Sequence, residues 1–345
     1  MTVWVAALLL AVLAPAAFGG ADEEWQRIEA LEQGPQVQTQ GMSREQGRAL
    51  ALRHLDRQES AFRDFAARHP ADARSVEAKL RLARLLAVRS DLQGNRKFAE
   101  ESAALLRALE TSAPPERAAD IAFAKIVLSI RNTRPGDAAA QRDAVSQARS
   151  FQRSFPSDRR VAGLLAEVAT LLDDRPKEQE TMLRDAERLA TSPELKSRVL
   201  DDLRRLERLG KVVDATFPSA SGAEIDLAAY RGKVVVLCWF ADWSPPSMLV
   251  LEALKESLSE FSPANVQAVG ISLDESRPAL AANLSRLKLG WPIAFDGKGW
   301  QSPAARSHGI NSLPTVWLLD RRGRLRALNV YGDPNVAINT LLRER

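Results

Sequence analysis

The sequence predicts a helical region followed by an α/β domain, and three observations carry that prediction. From Ser43 to Gly210 the chain is rich in Ala, Leu, Arg and Glu, and its apolar residues recur at helical spacing, as in Val161, Leu164, Leu165, Val168, Leu171 and Leu172. After Gly210, short Val/Ile/Leu-rich runs alternate with helical stretches, the pattern of a mostly buried sheet with helices between its strands. At 345 residues the chain also exceeds one ordinary domain of about 100–200 residues, so two or three domains are expected.

Composition narrows the function classes. A hydrophobic fraction of 45% and a charged fraction of 27% suit a folded chain with a sizeable core. The net charge of +4 is the difference between 48 Lys+Arg and 44 Asp+Glu, a nearly balanced chain that does not suggest a nucleic-acid partner. A single cysteine, Cys238, excludes an internal disulfide, a cysteine-based zinc site and any two-cysteine redox centre. The three histidines, His54, His69 and His308, are scattered, so neither a metal nor a cofactor is expected.

At the amino terminus, Val3 to Phe18 form an apolar run interrupted by Pro15 and followed by Gly19, Gly20 and Ala21 before an acidic stretch. This reads as a signal peptide over residues 1–21, although its first residues carry no Lys or Arg. An uncleaved anchor needs about 20 apolar residues, and this run is shorter. The expectation is therefore export to a periplasmic or extracellular location, with no membrane span left after cleavage.

The helical domain is expected over 22–209, as seven or eight helices. Ser43 with Gln46 resembles a capping box, and Ser192-Pro193-Glu194 places a cap, a first-turn Pro and an acid in sequence. One internal echo appears at an offset of 86 residues: Phe65, Pro70, Asp72, Ala83, Leu85 and Leu86 correspond to Phe151, Pro156, Asp158, Ala169, Leu171 and Leu172. Such joints resemble those of tetratricopeptide-type repeats, but the 34-residue signature is absent, and an array and an irregular bundle both remain open.

In the domain expected over 210–345, strands are predicted at Lys233 to Phe240, Val266 to Leu273 and Thr315 to Leu319, with helices starting near Pro245, Arg277 and Pro303. Asp320 to Gly323 reads as a hairpin turn leading to a strand over Leu325 to Val330, and Asp333-Pro334 as the cap of a last helix to Arg343.

The stretch from Gly232 and Lys233 through Cys238, Trp239, Phe240, Ala241, Asp242, Trp243, Ser244, Pro245, Pro246 and Ser247 resembles the active-site segment of exported thioredoxin-like proteins of the TlpA/ResA and AhpC/TSA kind. Further matches follow in order: Val269 to Ser272 with Asp274, a loop from Gly309 to Thr315 like the family's cis-proline loop, the Asp320 to Gly323 turn, and an entry hairpin around Gly222 to Gly232. The resemblance implies a thioredoxin fold over 210–345. It also implies a redox site, and here the chain departs: Ser244 and Ser247 stand at the two positions that hold cysteine in the family.

Disulfide exchange needs a thiolate to attack and a second thiol to resolve, and a hydroxyl does neither. No catalytic residue is therefore expected at these positions. Ser244 reads as a helix cap before Pro245 and Pro246. Cys238, inside an apolar strand where thioredoxins resemble one another in carrying a buried acid, reads as a small buried hydrophobe. A serine nucleophile lacks a Gly-x-Ser-x-Gly elbow, and the domain's only histidine is His308. The expected function is a redox-inactive binding or scaffold module for other exported or envelope proteins, with a groove formed by Trp243, Pro245, Pro246, Leu313, Pro314 and Thr315. The alternative is a thiol-disulfide or peroxide role through Cys238 or an external thiol.

Overall fold

A computed structural model of the protein describes residues 20–34, 44–133, 137–219, 221–330 and 334–344. Most of the expected signal segment, Ser43 of the expected capping box and Asp333 lie outside them. The chain divides into two compact units, Met1–Asn132 and Thr133–Arg345. The region expected as one helical domain is thus shared between them, and the change from helices to α/β at Gly210 falls inside the second.

In the first unit, α1 (Gly20–Glu32), α2 (Arg44–Arg68), α3 (Arg74–Gln93), α4 (Arg96–Ser112) and α5 (Ala118–Asn132) follow one another. Gly20 and Ala21, expected to leave with the signal segment, form the start of α1. Helix α3 is central because it is apolar on two sides. Ala78, Leu82, Leu85 and Leu86 pack with Trp25, Ile28, Phe62 and Phe65, whereas Leu80, Ala83 and Ala87 pack with Leu106, Leu109, Ile121 and Leu128. Its C-terminus ends at Gly94 in the left-handed conformation, φ 64°.

The second unit opens with α6 (Ala138–Ser154), α7 (Val161–Ala169), α8 (Pro176–Leu189) and α9 (Pro193–Leu206), which brings the helices before Gly210 to nine among the described residues. Asp137 caps α6 by accepting from the N–H groups of Ala139 and Ala140, and Ser192 caps α9 by accepting from Leu195 N–H at 3.1 Å, as its sequence context predicts. The echo at an offset of 86 residues is one local construction made twice. Asp72 accepts from the backbone N–H and the guanidinium of Arg74, and Asp158 does the same with Arg160. Each arginine lies over the phenylalanine of its own joint, Phe65 at 5.7 Å and Phe151 at 6.0 Å.

A two-stranded entry hairpin, β1 (Thr216–Pro218) with β2 (Glu224–Asp226), precedes a mixed sheet. That sheet contains β3 (Val234–Phe240), β4 (Val266–Ser272), β5 (Ile293–Phe295), β6 (Thr315–Leu319) and β7 (Leu325–Ala327) in the order β5-β4-β3-β6-β7. Strands β3, β4 and β5 are parallel, β6 runs antiparallel to β3, and β7 runs antiparallel to β6. All seven residues of β3 are buried, which is why it reads as an unbroken apolar run instead of an alternation. Its side chains still alternate between faces. Val234, Val236, Cys238 and Phe240 pack with α10 (Pro245–Leu258), α11 (Arg277–Leu287) and α13 (Asn335–Arg343). On the other face Trp239 meets Phe217, Trp317 and His308, the last residue of α12 (Pro303–His308). Strand β7 stops at Ala327, short of the expected Val330, and β5 was not anticipated.

Candidate functional site

The end of β3 is tied to the chain beyond β4 by a bond from Leu273 N–H to Phe240 O at 2.8 Å. After Ala241 the backbone turns, with Ser244 N–H donating to Ala241 O at 3.2 Å, and α10 begins at Pro245 and Pro246. Two prolines suit a first turn, where a missing N–H costs no helical bond. Ser244 occupies the cap position, but its side chain caps nothing. Instead, the Ser247 hydroxyl donates to Ser244 Oγ at 2.9 Å, with Ser247 N–H taken by the Ser244 carbonyl at 2.9 Å. The expected capping role is corrected to a buried hydroxyl pair, Ser244 at 7% exposure and Ser247 at 0%.

Beside this pair the surface turns apolar. Trp243 is 55% exposed, and its ring lies 6.3 Å from that of Trp300, itself 40% exposed. Pro245 and Pro246 are exposed on the first turn of α10. The pairing of Trp239 with Thr315 brings the loop before β6 to the same end of the sheet as the Ser244 turn. There the Leu313-Pro314 peptide is cis, Leu313 is half-buried, and Thr315 is buried with its hydroxyl donating to Ser312 O at 2.8 Å.

Helix α9 holds this loop from the side. Asn311 Nδ2 donates to Asp202 Oδ1 at 2.9 Å and to Arg198 O at 3.2 Å. Arg204 and Arg208 donate to the carbonyls of Arg306 and Ser307 at the end of α12. Gly309, at φ 68°, closes α12 so tightly against α9 that a β-carbon there would collide with the Asp201 carbonyl. Asp202 is in turn paired with the buried Arg205.

Two carboxyls meet behind the Ser244 turn. Asp242 N–H donates to Asp274 Oδ1 at 2.8 Å, and the Ser272 hydroxyl donates to Asp274 Oδ2 at 2.7 Å. Burial and the adjacent Asp242 carboxyl push Asp274 up to about 7. Asn283 Nδ2 reaches Asp242 Oδ2 at 3.4 Å. Cys238 is enclosed by the sheet and its helices, and burial pushes its thiol up to about 12, the opposite of a reactive thiolate. His308 sits among the rings of Phe217, Trp239 and Trp317, and among the described residues no hydrogen bond joins it to Ser244. Its Nδ1 lies 2.8 Å from Ala304 O and 3.0 Å from Ser307 Oγ, and burial drives it down to about 4. It offers Ser244 no base. Among the described residues no group of three or more His, Cys, Asp or Glu could hold a metal ion.

Residues 210–328 match the model of the AhpC/TSA family. Over 104 residues the chain is 25% identical to thiol-disulfide oxidoreductase ResA of Bacillus thuringiensis subsp. konkukian, a match over 30% of this chain and 58% of the relative. The ResA of Geobacillus thermodenitrificans matches at 24% identity over 115 residues, 33% of this chain and 64% of the relative. The carboxyl-terminal domain is thioredoxin-like.

Solved structures similar to the thioredoxin-like domain include a thiol-disulfide oxidoreductase from Bacteroides fragilis (26% identity, TM-score 0.35, 38% of this chain and 98% of that one). A secreted thiol-disulfide isomerase from Corynebacterium glutamicum also matches (22% identity, TM-score 0.33, 39% and 86%). Within the domain, sequence reasoning missed the Asp242–Asp274 pair, Trp300 and the Asn311–Asp202 contact. Asp242 adjoins Trp243 and Asp274 ends a recognisable strand, but nothing along the chain says that the two carboxyls meet. Trp300 follows Gly299, whose φ of 52° marks the turn that presents the ring.

Proposed function

We propose that this chain is an exported, redox-inactive thioredoxin-like protein that binds extended segments of other extracytoplasmic polypeptides at the end of the sheet beside Ser244. The observation that carries the reading is the site itself: a buried hydroxyl pair, Ser244 and Ser247, directly beside the exposed rings of Trp243 and Trp300. Strand-type pairing of a peptide with the backbone near Leu313 needs no cysteine, and two indoles supply apolar area next to it. Export is inferred from the apolar segment before Gly19. No described helix is long and apolar enough to cross a membrane. The helices of each unit between 22 and 209 would offer further binding surface.

The relatives' disulfide chemistry is not carried over, because one cysteine in the chain leaves no resolving thiol. A route through Cys238 is disfavoured by its burial and raised pKa.

The test has two parts. Purified protein should reduce no insulin disulfide above a buffer blank, and turnover that follows the protein and disappears in Cys238→Ser would overturn the redox-inactive reading. Partners captured from envelope extract and identified by mass spectrometry should then lose about tenfold or more in affinity with Trp243→Ala or Leu313→Asp. Each variant is first checked for native folding, and unchanged affinity in both would move the binding site elsewhere.

A further inference from the structure

The turn between β6 and β7 reads Asp320-Arg321-Arg322-Gly323-Arg324-Leu325-Arg326. Asp320 builds its backbone: Oδ1 accepts from the N–H groups of Arg322 and Arg324 at 2.9 Å each, and its carbonyl accepts from Gly323 N–H at 2.8 Å. The chain after α9 runs alongside, with Gly210 N–H donating to Leu325 O and Leu325 N–H to Lys211 O. The turn is therefore a fixed platform, built by Asp320 and the chain after α9.

Beside the turn lies a cavity of about 240 Å³ lined by Arg321, Arg322, Arg324 and Arg326 together with Asp320 and Glu344. Arg326 engages both acids, Asp320 Oδ2 at 3.3 Å and Glu344 Oε1 at 2.9 Å. Arg321, Arg322 and Arg324 make no ion pair among the described residues, although Asp320 and Glu344 line the same cavity. Four arginines against two carboxylates line the concavity, an excess of positive charge that an anion would offset.

We infer that this cavity is a binding site for a phosphate-type oxyanion, gripped by the forked donors of Arg321, Arg322 and Arg324. Guanidinium geometry matches phosphate oxygens in pairs, which a lysine cluster would not. A cavity of about 240 Å³ has room for one phosphate group or phospholipid headgroup. The site is independent of the Ser244 groove. The turn follows one end of β6 and Pro314 precedes the other, about 17 Å apart at ~3.3 Å per residue.

The experiment is calorimetric titration of the full chain with inorganic phosphate at low salt, with chloride at matched ionic strength as control, alongside flotation with phosphatidylglycerol or phosphatidylcholine vesicles. Saturable phosphate binding is expected, weakening by about tenfold or more in R321Q/R322Q/R324Q and unchanged in Arg184→Gln on α8. Circular dichroism checks that the triple variant is folded. Phosphate binding without flotation assigns a soluble anion. Flotation specific to phosphatidylglycerol and lost in the triple variant assigns a headgroup. Heats no larger than those of chloride together with no flotation, or binding of either kind that survives the triple substitution, would overturn the site.

Discussion

Asp72, at the joint between α2 and α3, and Asp274, beyond the end of β4, each accept a backbone N–H on Oδ1 at 2.8 Å, from Arg74 and from Asp242 respectively. The backbone geometry is shared and the protonation is opposite. The Arg74 guanidinium adds bonds of 2.9 and 2.7 Å to Asp72 and holds it down at about 2. Asp274 is buried, and beside it stands a second carboxyl, Asp242, so its pKa rises to about 7. Burial and the charge of the neighbouring side chain, not the backbone bond, decide where each proton sits. Asp158 repeats the first case, with Arg160 lowering its pKa.

Asp202 extends the comparison to a buried acid with a cation beside it, Arg205, and with Asn311 as a neutral donor. The largest effect is expected here. Asp202→Ala removes the ion-pair partner of the buried Arg205 and releases the loop before Pro314, a loss of about 3–5 kcal/mol in urea unfolding, with faster hydrogen exchange over residues 309–313. A loss below about 1 kcal/mol would mean that α9 does not hold the loop.

Next comes the carboxyl pair, where the sign can be worked out. A folded pKa of about 7, above the ordinary 3.8, means that the native state binds the extra proton. Its contribution is complete below about pH 4 and is lost as pH rises through about 7. Asp242→Asn removes the like charge, so stability should increase by about 1–3 kcal/mol at pH 8 and change little at pH 4. An equal effect at both values would show that the Asp242 charge does not raise the Asp274 pKa.

Asp72 works in the opposite direction. Its folded pKa of about 2 makes its contribution complete above about 3.8 and lost as pH falls through about 2. Arg74 also meets Asp22 at 2.8 Å and lies over the Trp25 ring at 5.7 Å. Arg74→Ala should cost about 1–2 kcal/mol at pH 7 and less at pH 2, followed through Trp25 fluorescence. The smallest effect is expected from Arg160→Ala at the second joint, about 0.5–1 kcal/mol by hydrogen exchange over α7. A larger loss there than at Arg74 would break the ranking of the two joints.

Much of this architecture was legible along the chain. The unbroken apolar run at β3, the turn residues at Asp320 and Gly323 and the paired prolines at the head of α10 are local signals, because period, φ freedom and a missing N–H act over a few residues. Strand β5 escaped because Ile293–Phe295 is three residues long, too short to display a period. At Ser244 the local signal pointed to a cap and the fold chose otherwise: a buried hydroxyl three residues on, Ser247, was the available partner.

The order of helices and strands, the absence of a cysteine pair and the thioredoxin-like character of the second half were all present in the string of residues, since each depends on neighbours in sequence or on identity alone. The meeting of Asp242 with Asp274, of Asn311 with Asp202 and of Trp243 with Trp300 joins residues 32, 109 and 57 positions apart (274−242, 311−202 and 300−243). The arginines of the hairpin turn line one cavity only because that turn and the end of α13 come together in the fold. Charge and burial act through space at a few ångströms, and no spacing along the chain encodes which side chains the sheet will bring that close.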